Sequence, residues 1–394
     1  MTRALVSLNA GSSSIKFGLY RLDDAGHPHH AAGGKIEGIG TAPHLAARAD
    51  DGSLAIDRRW DDGAAMTHED LLGELITWAQ GHLGDNRIVG IGHRVVHGGA
   101  DYASPVRIED AVMDRLDALS ELAPLHQPHN LAAIRAMTKL MPDVPQVACF
   151  DTAFHRGRAD ETTRFALPRA FHDRGLVRYG FHGLSYAFIA RELARTAPEL
   201  VAGRVVVGHL GNGASLCAMR GGKSVDTTMG FTALDGLVMG TRCGTLDAGL
   251  VLHLIMHEGM SAEAVETLLY QQSGLLGVSG LSSDMRALHA SDGEAARQAV
   301  TLFVARAARE IAALCTSMGG IDALVFTAGI GENDSLIRSL ICERLGFLGL
   351  TLDPAANAAN ARTISAGDSR IAIMVVPTDE ERMIALDTVA CLGL

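Results

Sequence analysis

Two segments of this chain follow the same short plan: an apolar run of β-forming residues, a turn rich in glycine or serine, and a second apolar run. Residues 4–8, 9–14 and 15–20 make the first, and residues 204–208, 209–213 and 214–219 make the second. Setting residues 12–15 over residues 213–216 aligns the apolar positions on both sides of the turn. Such a turn fixes the pairing of its two strands. Two of these hairpins, each followed by further helices and strands, predict two α/β halves with a cleft between them, produced by internal duplication. A chain of 394 residues has the length for two cores.

The second half carries further signals. Apolar residues at Ala296, Val300, Phe303, Ala307, Ile311 and Leu314 predict a long helix over about 293–317. It leads into a strand at 323–326, a glycine turn at 327–333, and a last strand at 371–376. In the first half, residues 21–65 are polar and rich in Gly, Asp and His, and read as loops with short edge strands.

Charge and cysteine usage narrow the function. With 34 Lys and Arg against 45 Asp and Glu, the formal net charge is −11, which disfavours a general nucleic-acid binder. A few arginines can still converge on an anionic substrate. The six cysteines are scattered, with no paired spacing, and read as reduced thiols. No segment has the length and apolarity of a membrane span or a leader, so the expected setting is cytoplasmic.

Three groups of residues can carry chemistry. A glycine or serine turn lets backbone N–H groups face phosphate oxygens. Ser12 and Ser14 add hydroxyls, Lys16 a charge, and Asn9 an amide oxygen suited to a metal shell. Either hairpin alone is an ordinary connector. Together with the strand-to-helix turn at 329–333 they point to a nucleotide site, although no Walker A motif occurs. The second group is cationic: Arg94 after a buried strand, Arg178 and His182 in a compact aromatic turn, and Arg242 between glycines, with His126 and His209 behind them. An arginine flanked by glycines packs little, which leaves its guanidinium for an anion, while a surface ion pair is the ordinary alternative. The third group is acidic: Asp151, Glu380 and Glu381 follow strands, where α/β proteins collect ligand groups, and where an acid is also often a helix cap.

In sum these segments resemble the acetate kinase family, within the larger group that includes actin, sugar kinases and heat-shock ATPases. The stretches that carry the resemblance are LNAGSSSIKF (8–17), GHRVVHGG (92–99), LAPLHQPHN (122–130), CFDTAFH (149–155), RYGFHGLSY (178–186), VVGHLGNGASL (206–216), DTTMGFTALDGLVMGTRCG (226–244), TAGIGEN (327–333) and PTDEE (377–381). The resemblance implies two duplicated actin-like (ribonuclease H-like) α/β domains with an interdomain active-site cleft. They would comprise residues 1–151 plus 382–394, and a nucleotide-binding, dimer-forming domain of residues 152–381. It implies phosphoryl transfer from ATP to acetate, giving acetyl phosphate and ADP, in a homodimer that uses Mg²⁺, with Mn²⁺ as an alternative.

By the same resemblance Asn9 and Glu380 associate with the metal, and Lys16, Ser12 and Ser14 with the nucleotide. His209, Leu210, Gly211, Asn212 and Gly213 line the ATP site with Asp284, Met285 and Arg286. Gly329, Ile330, Gly331, Glu332 and Asn333 complete it. Arg94 binds the carboxylate, Asp151 is the catalytic acid residue, His182 and Arg242 stabilise the transition state, and Val96, Leu125 and Phe181 form the acyl pocket. The chain departs from the family's pattern at Ala233, where a proline is usual beside that pocket, at Thr227, where Ser is frequent, and at residues 245–248, expected to face the nucleotide.

A carboxylate is ionised at neutral pH, so its phosphorylation needs no base. Positioning and electrostatics should carry the reaction, by direct in-line transfer. The rivals are a kinase for propionate, butyrate or a sugar, and a non-catalytic ATP-dependent binding protein of the same fold.

Overall fold

The structure is a computed structural model that describes residues 3–124 and 126–394. The chain forms two compact units, Met1–Phe154 with Asp379–Leu394, and His155–Thr378.

The first unit is built on strands β1 (Arg3–Ala10), β2 (Ser14–Leu22), β3 (Pro28–Glu37), β4 (His44–Ala49), β5 (Leu54–Arg59), β6 (Arg87–Val95), β7 (Val106–Arg107) and β8 (Gln146–Phe150). They lie in the order β5-β4-β3-β2-β1-β6-β8-β7. Pairing is antiparallel from β1 through β5, while β1, β6 and β8 run parallel. In the second unit β9 (Arg204–Leu210), β10 (Ala214–Arg220), β11 (Lys223–Thr227), β12 (Ala323–Thr327) and β13 (Ala372–Val375) lie in the order β11-β10-β9-β12-β13. Here β9, β10 and β11 are antiparallel, and β9, β12 and β13 parallel. The order and direction of β3-β2-β1-β6-β8 are thus repeated in β11-β10-β9-β12-β13, a duplication that the two glycine hairpins only hinted at.

Helices cover the sheets where the sequence supplies an apolar stripe. His68–Leu83 opens on a capping box, in which the Thr67 hydroxyl accepts from the Asp70 N–H while Asp70 accepts from the Thr67 N–H. It buries Leu71, Leu72, Leu75, Ile76, Ala79 and Leu83 against Ile15, Phe17 and Ile36 of the sheet. Glu294–Met318 buries Phe303, Ala307, Ile311 and Leu314, and stops at Gly319 in the left-handed region. Residues 21–65, expected as loops with short edge strands, form β3, β4 and β5, the three strands at one edge of the sheet. Their inward positions are Ala31, Ala32, Ala47, Leu45 and Ile36, mostly small residues, so the apolar alternation of a strand is faint. Among the described residues no helix is long and apolar enough to cross a membrane.

Candidate active site

Parallel neighbours bring chemistry to one edge of the first unit. The carboxyl ends of β1, β6 and β8 lie side by side, so Asn9, Arg94 and the residue after β8, Asp151, are delivered together. Arg94 Nη2 lies 2.6 Å and its Nε 3.1 Å from Asp151 Oδ2, and its Nη1 donates to Asn9 Oδ1 at 3.2 Å. Asn9 Nδ2 in turn donates to Glu380 Oε2 at 3.4 Å, from the first residue of the C-terminal helix Glu380–Leu392. Burial opposes the Arg94 charge, but Asp151 and Glu380 together hold the guanidinium above its ordinary range. Glu380 is pushed up to about 7, chiefly by burial and then by Asp151 and Glu381, against the pull of Arg94 and Lys16.

Among the described residues no three His, Cys, Asp or Glu side chains are grouped to hold a metal ion, so this edge offers oxygens for a hard cation without a complete ligand set of its own. Asp151 is 1% exposed, and its Oδ1 has no hydrogen-bond partner among the described residues. Asp151, Glu380 and Glu381 all act on the Arg94 charge, and Glu380 is raised by burial first and by its acidic neighbours second. Oxygen ligands are the kind that Mg²⁺ or Mn²⁺ takes, and the unpartnered Asp151 Oδ1 is one such atom.

The first glycine turn is braced rather than loose. Gly11 N–H donates to Ser14 O at 2.8 Å, His68 Nε2 donates to Gly11 O at 2.9 Å, and Asn130 Nδ2 donates to Ala10 O at 2.6 Å. Ser12 is exposed and Ser14 half-buried. Lys16, also exposed, lines a cavity of ≈540 Å³ with Tyr20, Lys35, Arg48 and Glu381.

In the second unit His182 precedes the helix Gly183–Thr196 with φ +58. Its Nδ1 lies 2.8 Å from Ser215 Oγ on β10, which lies 2.5 Å from Tyr186 OH. His182 stacks on His209 at 4.2 Å between ring centroids, and His209 Nδ1 meets Ser185 Oγ at 2.9 Å. Arg242 Nη1 donates to the Ala233 carbonyl at 2.7 Å. Gly213 lies against both Arg242 and His182: a Cβ built there would lie 2.9 Å from Arg242 Nη2 and 3.3 Å from His182 Nε2. The glycines beside Arg242 have another purpose than freeing its side chain. Asn212 Oδ1 packs on Gly240 so closely that a Cβ would meet it at 2.0 Å.

A cavity of ≈930 Å³ is lined by Gly211, Asn212, Asp284, Met285, Arg286, Gly329, Ile330 and Asn333, as expected from the sequence, and also by Ser283, His289, Asp334, Ser335 and Leu336. The remaining residues assigned to the nucleotide do not line it. His209, Leu210 and Gly331 are buried. The Glu332 carboxylate turns inward, accepting from the N–H of Ala328 at 2.8 Å and of Thr378 at 3.0 Å, which supports Ala328 at φ +65. Residues 245–248 are absent from the lining too: Asp247 caps the helix Ala248–Met256. Arg178, an anion candidate by sequence, is paired with Asp235 at 3.0 Å. His126 precedes the helix Gln127–Leu140, and its carbonyl accepts from Asn130 N–H.

Of the acyl-pocket residues, Val96 is buried in the first unit and Phe181 in the second, and Leu125 lies outside the described residues. Ser215, Tyr186, Ser185 and Asn130 were missed. Their one signal in the sequence is a polar residue amid apolar neighbours, which a solvent-facing position also gives.

Residues 4–386 match the acetokinase family. An acetate kinase of Rhodopseudomonas palustris is 51% identical over 389 residues, covering 98% of this chain and 97% of that relative. One from Methylocella silvestris is 49% identical over 398 residues, covering 100% and 98%. Among solved structures, a propionate kinase from Francisella tularensis has a TM-score of 0.90 at 36% identity over 98% of this chain and 99% of its own. Porphyromonas gingivalis acetate kinase has a TM-score of 0.85 at 34% identity, over 99% and 100%. The fold, the ordered motifs and this full-length likeness agree, and the chain belongs to the acetokinase family.

Proposed function

We propose that this protein is an acetate kinase, moving the γ-phosphoryl group of ATP reversibly onto acetate by direct in-line transfer. The observation that carries the reading is the side-chain-free position at Gly213, where Arg242 and His182 present nitrogens to one spot. Such donors suit charge that develops on phosphoryl oxygens. With Tyr186 donating to Ser215 and Ser215 donating to His182 Nδ1, the His182 proton would stand on Nε2, facing that spot. Arg94 would bind the carboxylate, held in orientation by Asp151 and Asn9. Asp151 is thereby an organiser of charge rather than a base, since the acetate is already ionised.

Mg²⁺, held by Asn9, Glu380 and Asp151, would neutralise phosphate charge when bound. Asn212, Asp284, Arg286, Gly329 and Asn333 would contact the nucleotide. Relatives near 50% identity are named acetate kinases, while a solved neighbour at 36% is named a propionate kinase. Alanine rather than proline at 233 favours some use of propionate as well. A coupled ADP assay with hydroxamate trapping, run on acetate, propionate, butyrate and glucose, tests this. We expect acetate and propionate within about tenfold of each other, butyrate poorer and glucose inert. ATP turnover without trapped acyl phosphate would refute the reading.

A homodimer completes the proposal, in the cytoplasm. The helix Ala248–Met256 buries none of its residues, and Leu250, Leu252, Ile255 and Met256 are exposed on it. An apolar surface of this kind marks an interface. Sedimentation of Leu252→Glu should show monomers where the parent protein shows dimers.

A further inference from the structure

We infer that His155 is a positioning residue for His182: its ring fixes the Phe181 carbonyl, and so the backbone from which His182 projects. The inference rests on the reading that His182 meets the transferring phosphoryl group.

His155 is 2% exposed, and both ring nitrogens are engaged. Its Nε2 lies 2.9 Å from Phe181 O and its Nδ1 2.8 Å from Ser224 Oγ. A carbonyl only accepts, so Nε2 carries the proton and Nδ1 accepts from the Ser224 hydroxyl. Burial, joined by the Arg158 charge, pushes its pKa down to about 3, so the ring stays neutral with one tautomer.

The segment it holds needs holding. His182 has φ +58, a conformation that a residue with a side chain keeps only when its surroundings impose it. The His155 ring packs on Gly180, where a Cβ would approach ring Cγ and Cδ2 to 2.8 Å. Arg158 Nη2 donates to Arg178 O and, at 2.9 Å, to Tyr179 O, so the preceding carbonyls are pinned as well. The edge of the same ring meets Tyr186 at 5.6 Å and 73°. Tyr186 OH reaches Ser215, which meets His182 Nδ1. His155 therefore touches both the backbone and the hydroxyl chain that orient His182.

The test compares His155→Gln, which keeps an N–H donor at similar reach, with His155→Met, which keeps the length and loses the donor. Each is made alone and with His182→Ala. A misplacement near 1 Å costs about 10²-fold, so His155→Met should lower kcat about 10–100-fold with KM for ATP little changed. His155→Gln should recover kcat to within about threefold of the parent. With His182→Ala present, His155→Met should add no more than about twofold. Unchanged kcat in His155→Met, no recovery in His155→Gln, or multiplying losses in the double variant would each overturn the inference alone. Full turnover in His182→Ala would overturn the reading of His182 and the inference with it. Should His155→Met not fold, Ser224→Ala leaves the ring in place without its hydroxyl donor. Its kcat should fall about threefold or more, an effect absent with His182→Ala, and an unchanged kcat overturns the inference.

Discussion

Replacing Gly213 by alanine adds one methyl group where Arg242 and His182 converge, and its effect can be worked from distances. The new Cβ would stand 2.9 Å from Arg242 Nη2 and 3.3 Å from His182 Nε2. Ordinary heavy-atom contact begins near about 3.5 Å, so the guanidinium must withdraw about 0.6 Å and the imidazole about 0.2 Å. Arg242 is tied by Nη1 to Ala233 O, so withdrawal moves the whole planar group or lengthens that bond. A misplacement of about 1 Å costs about 10²-fold, which puts the expected fall in kcat at roughly tenfold. Stability should barely change, because Gly213 does not need the left-handed region and the obstructing atom ends a flexible side chain. Steady-state kinetics with ATP and acetate varied separately, together with a melting curve, read all of this. A normal kcat would show that Arg242 and His182 do not meet the reacting group. A rise in KM for ATP alone would assign Gly213 to the nucleotide.

Asp151→Asn removes the countercharge of Arg94, and turnover should fall about 10²–10³-fold, as for one strong electrostatic contact. Its urea midpoint should report a stability loss on the order of 3 kcal/mol, the cost of a half-broken buried pair. Arg338→Met strips donors from the Gly331 and Glu332 carbonyls, each bonded at 2.9 Å, and loosens the turn beside the cavity proposed for the nucleotide. KM for ATP should rise about tenfold, equivalent to about 1.4 kcal/mol, with kcat nearly kept; a kcat loss at constant KM would contradict this. His93 and His97, pushed down to about 4 chiefly by burial, stay neutral when folded and charge at about 6.5 when unfolded. The unfolded chain therefore binds more protons in that window, so stability is fully present above about pH 6.5 and is lost as pH falls toward 4. The stability gap between the parent protein and His93→Gln should narrow by about 2 kcal/mol between pH 7.5 and pH 5, and a constant gap would refute the linkage.

The sequence made the parallel-strand chemistry legible because Asn9, Arg94 and Asp151 each sit where an apolar run ends, and such ends adjoin in a parallel sheet. The hairpin turns were legible for the same local reason. What long-range packing decides was not. Glu332 looks like a ligand group beside its glycines, yet its carboxylate closes the backbone between Ala328 and Thr378, residues far apart in the chain. Ser215 alternates with apolar neighbours as a surface serine would, and only the pairing of β9 with β10 sets it opposite His209. The helix Ala248–Met256 is apolar along its length, and only the fold reveals that the described residues leave none of it fully buried. β3 to β5 were legible only as short edge strands among loops, because small residues fill a sheet face without advertising it.

The most direct test of the account is the stereochemical course at phosphorus. Transfer from ATP made chiral at its γ-phosphorus by sulfur and oxygen isotopes reports whether the number of displacements is odd or even. The proposed direct transfer, onto a carboxylate that needs no base, predicts one displacement and inversion in the acetyl phosphate product. Retention would mean two displacements through a phosphorylated side chain, with Asp151 or Glu380 as its bearer, and would contradict direct transfer.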